Sequence, residues 1–173
     1  ERSLAESRAL ALALPGGDGP LDLEIARVQE RIGHGPTTDD WVLLGQAWMR
    51  KARASGDAAL YLAADGASAA ALAMAPGYAG ALGLRALVQL NEHQFASARE
   101  QARNVLARNP EDLLALATLS DAALEMGDLP AALESAQRLL DLKTAAPAGK
   151  VLHISGISQA ISSSAWSVPQ ASP

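Results

Sequence analysis

The chain has 173 residues, 49% hydrophobic and 19% charged, enough apolar material for one buried domain and too little length for two ordinary ones. Lys+Arg 14 against Asp+Glu 19 gives a formal net charge of -5, and only 3% of residues are aromatic, which argues against a duplex nucleic-acid partner and against single-strand stacking respectively. With no cysteine, disulfides, thiolate metal sites and a cysteine nucleophile are excluded.

Proline and glycine divide the sequence into apolar-periodic segments that predict an all-α chain. Residues 1–14 predict a helix, and the Pro15-Gly16-Gly17-Asp18-Gly19-Pro20 run reads as a flexible joint, so residues 1–20 form an N-terminal helix and joint. Residues 21–36 follow as a covering helix with Leu21, Ile25, Val28 and Ile32 on one face, Gly33 as the expected C-cap and Pro36 closing the turn. Thr37 and Thr38 can cap a third helix, with Asp39 and Asp40 in its favourable first turn, running to Gly56. Its partner runs from Asp57 to about Ala75 and is stopped by Pro76. The alanine run from Ala67 to Ala75 reads as tight helix packing, since a membrane span needs about 18–20 apolar residues. Two helical hairpins come next: 78–91 with 94–108, then 111–126 with 129–142, the latter turning at Gly127-Asp128. Ala148, Val151, Ile154, Ile157, Ile161 and Ala165 then recur at every third or fourth position, which predicts a capping helix over 147–166, with a Ser/Pro-rich tail at 167–173. The alternative for the end is that Trp166-Ser167-Val168-Pro169 docks as a short extended segment into a groove.

The strongest signal is a repeat. Pro76 and Pro110 stand one period apart (110 − 76 = 34), with two helices per unit. Trp41, Leu44, Gly45 and Trp48 stand as W-x-x-L-G-x-x-aromatic, followed by Ala64, Ala71 and Pro76; Ala98, Ala102 and Pro110 repeat the second half, and Leu116, Leu119, Gly127, Ala132 and Ala136 occupy equivalent places in a third unit. This pattern resembles the tetratricopeptide repeat (TPR). The resemblance covers about residues 38–144 and implies a right-handed α-solenoid of about three TPR hairpins (38–78, 79–112 and 113–146 within the repeat region 37–144) with flanking N- and C-terminal helices. Four departures stand out. The offset from Gly45 to Ala64 is 64 − 45 = 19, against 98 − 86 = 12 in the next unit, which predicts extra turns on both helices of a taller first hairpin. Arg85-Ala86 replaces Leu-Gly, His93 replaces a turn glycine, and Thr144 stands where proline is expected, with Pro147 three positions late.

No catalytic or metal constellation emerges. His34, His93 and His153 lie in separate segments without a carboxylate or second histidine at ligand spacing. Asp39-Asp40 and Glu111-Asp112 each open a helix, where the dipole accounts for them. The glycine-rich stretch around Asp18 lacks both a P-loop lysine and a preceding strand, and the serines lack an activating context. Trp41 and Trp48 read as core.

What the resemblance implies instead is a concave groove lined by the first helix of each unit. By position these lining residues are Asp39, Val42, Gln46, Met49 and Arg50 in the first unit. They are Gly80, Gly83, Leu87, Leu90 and Asn91 in the second, and Leu114, Ala117, Asp121, Leu124 and Glu125 in the third. Gly80, Gly83 and Ala117 would leave room, Met49 and the leucines would supply apolar contacts, and the acidic residues against Arg50 would bias the surface negative. Chaperone-binding members of the family use a lysine- and asparagine-rich clamp; Val42 and Gln46 stand at its first positions, which disfavours that specialisation. The expected function is a non-enzymatic, cofactor-free module holding a protein or peptide segment, with no nucleic acid and no membrane span. The alternative is a self-associating scaffold joining copies through end faces or the uncharged C-terminal segment. The absence of cysteine fits an oxidising compartment as well as the cytosol, and a chain beginning at Glu1 reads as a trimmed product of a larger protein, so location stays open.

Overall fold

The computed structural model describes residues 2–145; the capping helix expected at 147–166 and the tail at 167–173 lie outside the described residues. The described chain is eight helices without a strand: α1 (Leu4–Ala11), α2 (Pro20–His34), α3 (Thr38–Ser55), α4 (Leu60–Met74), α5 (Ala79–Asn91), α6 (Phe95–Arg108), α7 (Leu113–Glu125) and α8 (Leu129–Ala145).

Local chemistry sets most boundaries. At the head of α3 the Thr37 hydroxyl accepts from Asp40 N–H at 3.1 Å while the Asp40 carboxylate accepts from Thr37 N–H at 3.2 Å, a reciprocal box that satisfies two orphan donors. Ser3 and Glu6 make the same box at α1. Asp112 caps α7 by accepting from Ala115 N–H at 2.9 Å. Gly33 remains inside α2, and the helix ends at His34 with Gly35 as its cap. Pro36 explains this, because its ring pushes the preceding residue out of the helical region.

The helices pack in order along the chain. α3 with α4, α5 with α6 and α7 with α8 form hairpins; α4 meets α5, α6 meets α7, and the first helices α3, α5 and α7 touch in succession. Small residues make the close crossings: Ala64, Ala67, Ala70, Ala71, Ala98 and Ala102 are fully buried. The extra length of the first hairpin goes mainly into α3, which has 18 residues against 13 in α5 and 13 in α7, while α4 has 15 against 14 in α6. Partners outside the hairpin hold the added turns of α3. Lys51 donates to Asp22 of α2 and to the Pro15 carbonyl, and Ala52 is buried.

α1 and α2 sit on this first hairpin, α2 against α3 and α1 against α4. A side chain at Gly66 would drive its Cβ into the Ser7 carbonyl, so glycine there is what lets the two backbones approach. The end of α1 and the residues just after it carry tertiary hydrogen bonds: Trp48 Nε1 donates to the Ala11 carbonyl at 2.9 Å, and Gln29 Nε2 donates to the carbonyls of Ala11 at 3.1 Å and Ala13 at 2.9 Å.

The turns between paired helices repeat as well. Gly127 has φ 75°, and His93, one period earlier in the chain, has φ 60°. His93 is the one non-glycine residue with positive φ among the described residues. A side chain in that region costs roughly 1–2 kcal/mol, partly offset by glycine's greater entropy loss of about 0.5–1 kcal/mol. His93→Gly is therefore expected to raise stability by about 0.5–1 kcal/mol, read as a higher urea midpoint at an unchanged slope.

Candidate interaction surface

α3, α5 and α7 pack in succession, and the positions expected to line a groove divide along them into three groups. In α3 most are occupied. Val42 and Met49 are buried in the cluster that also holds Ile25, Val28 and Ile32 of α2, with Met49 only 1% exposed. Arg50 pairs with Glu24 of α2, and Asp39 accepts from the Tyr78 hydroxyl, a contact that pushes the Tyr78 pKa up. Gln46 is half-buried. α2 thus covers the α3 portion of the surface, held at its other end by Arg31 on Asp40 at 2.8 Å.

In the middle group, side chains of the protein itself fill the space expected beside the small residues. A Cβ at Gly80 would lie 3.0 Å from the Tyr78 ring, and one at Gly83 would lie 3.3 Å from Leu114. Gly83 and Ala117 are buried and Leu114 is half-buried.

The third group remains accessible. Leu87, Leu90 and Asn91 of α5 are half-buried, and the Asn91 amide donates to the Leu87 carbonyl at 2.7 Å. At the equivalent positions of α7, one period on, Asp121, Leu124 and Glu125 are exposed, Leu124 by 55%. Neither carboxylate makes an ion pair among the described residues. Although solvent reaches Asp121, the surrounding protein desolvates its carboxyl and raises its pKa, and Glu125 one turn away adds to the shift.

Three carboxylates elsewhere behave in the opposite sense. The Lys51 ammonium holds Asp22 below the usual range, the Thr37 hydroxyl does so for Asp40 and the Ser3 hydroxyl for Glu6. A depressed folded pKa means that the unfolded chain binds the proton first, so this stability is present above about pH 4–4.5, the unfolded range, and is lost as pH falls through the folded values. Asp121, together with Glu92, whose pKa burial raises, works the other way: ionisation costs stability, which returns as pH drops through their folded values. The expected urea midpoint rises slightly on mild acidification from neutral and falls below about pH 4; Asp121→Asn flattens the rise and Asp40→Asn flattens part of the fall.

Among the described residues no group of three or more His, Asp or Glu side chains could hold a metal ion, and no helix is long and apolar enough to cross a membrane. Set against protein-family models and against curated proteins, the chain matches none of either.

Proposed function

We propose that this chain is a non-enzymatic interaction module: three TPR-like hairpins stacked as a right-handed α-solenoid, holding a peptide or helix of another protein on the surface shared by α5 and α7. The observation that carries the reading is Leu124, a large apolar side chain 55% exposed between Asp121 and Glu125, continuing the half-buried Leu87 and Leu90. Neither of those carboxylates has an ion-pair partner among the described residues. An apolar strip edged by such acids suits an amphipathic segment with leucine-like anchors and a lysine or arginine beside them. The raised pKa of Asp121 supports it: an ionised group that destabilises the free protein gains most when a cation arrives. Because α2 covers Val42 and Met49, the binding stretch is short, spanning two first helices rather than three.

The test is selection of random peptides, about four helical turns long, on the immobilised 173-residue chain, followed by titration of the enriched sequences. Enriched peptides are expected to carry apolar residues at helical spacing with a basic neighbour. Their binding should weaken about tenfold or more with Asp121→Lys and with Leu90→Asp, helix content unchanged. Enrichment of no sequence, or equal binding by both variants, contradicts the proposal. A second reading, self-association through end faces, draws on the exposed Leu129, Leu133 and Leu140 of α8. It requires a mass above that of one chain at high micromolar concentration.

A further inference from the structure

One repeat period carries α6 onto α8, and the two helices differ in one respect. On α6, Ala102 is fully buried and Leu106 is 9% exposed, both in the cluster that contains Leu116 and Leu119 of the next helix, α7. At the matching positions of α8 (136 − 102 = 34 and 140 − 106 = 34), Ala136 is exposed and Leu140 is 55% exposed. Leu133 is 71% exposed and Leu129 56% on the same helix. The face of α8 toward α7 is packed, with Ala132, Ser135 and Leu139 buried, so α8 is seated and only its outer stripe lacks a cover among the described residues.

The chain's own pattern says what covers such a stripe. α6 is covered by the segment that follows it directly, and after α8 the sequence continues from Ala145 to Pro173. The inward residues of the first helices have one spacing, three then four: Trp41, Leu44, Trp48 in α3 and Leu116, Leu119, Ala123 in α7. Ile154, Ile157 and Ile161 repeat that spacing in a stretch whose only ionisable residue after Lys150 is His153. A segment tethered close by in the chain acts at millimolar effective concentration, which a second copy at ordinary concentration does not match. We propose that residues 150–161 of this same chain dock on the outer stripe of α8, Ile154 and Ile157 lying beside Leu140 as Leu116 and Leu119 lie beside Leu106. The proposal goes beyond the peptide-binding reading and does not depend on it.

The absence of cysteine allows a direct test by disulfide trapping. Chains of all 173 residues carry Leu140→Cys with one of Ile154→Cys, Ile157→Cys, Ser155→Cys or Ser158→Cys, and are oxidised at low micromolar concentration after circular dichroism confirms unchanged helix content. The isoleucine positions are expected to close within one chain at least fivefold faster than the serine positions. Rates equal within twofold, or no closure at all, overturn the proposal. Disulfides that form only between chains, faster as concentration rises, overturn it in favour of a second copy as the occupant.

Discussion

Trp48→Ala is expected to lower the unfolding free energy by about 3–5 kcal/mol, a third or more of the stability of an ordinary domain. Trp48 is 1% exposed at the meeting of α3, α1 and the hairpin core. Alanine removes the whole indole volume, the hydrogen bond to the Ala11 carbonyl and the surface beneath Lys51, whose ammonium lies 5.8 Å from the ring. Trp48→Phe separates these terms. It keeps most of the packing, and the Ala11 carbonyl still accepts from Gln29, so no buried acceptor is orphaned. The expected loss is then about 1–2 kcal/mol. Urea unfolding of the two variants checks the ordering; equal losses would show that the hydrogen bond outweighs the volume.

Gly66→Val should have a different signature, confined to one part of the molecule. The obstruction is the Ser7 backbone, which no rotamer change relieves, so α1 has to lift from α4. Lifting exposes Ser7 and Ala11 and breaks the bonds from Trp48 and Gln29. A net loss of about 2–3 kcal/mol is expected even after the helix-propensity gain of replacing glycine. Hydrogen exchange is the sharper reading: amides of α1 should exchange as exposed peptide while those of α5–α8 keep their protection. Gly45→Ala gives the contrast. There the nearest obstruction is the flexible end of Leu84, which can move, so a smaller and non-local loss is expected. Retained protection in α1 of the Gly66 variant would contradict the assigned packing.

These two glycines also show which parts of the fold are legible in the sequence. Thr37 with Asp40, Gly56, Pro76 and Gly127 act on their immediate neighbours in the chain, so helices α3 to α8 can be placed from spacing alone. The seat of α1 depends on Gly66 meeting Ser7, far apart in sequence, and no periodicity announces such a contact. The same limit governs the surface. Val42 and Met49 have the spacing of Gly83 and Leu90, and spacing reports the face of a helix but not what lies on it. The apolar stripe of Ile25, Val28 and Ile32 marks α2 as a covering helix, yet only the structure shows it burying two of the expected lining residues and taking Arg50 through Glu24. Asp39 is engaged by Tyr78 for a similar reason, a long-range meeting of α3 with the cap of α5.

The most direct measurement is a methyl NMR titration of the 173-residue chain with a peptide enriched by selection. Shifts are predicted to concentrate on the methyls of Leu87, Leu90 and Leu124 and to saturate together. Met49 and Val42 beneath α2, and Ile25 on the packed face of α2, should stay unmoved. Shifts centred on the α2–α3 cluster, or spread over α4 and α6 with Leu124 unaffected, would contradict a binding surface on α5 and α7.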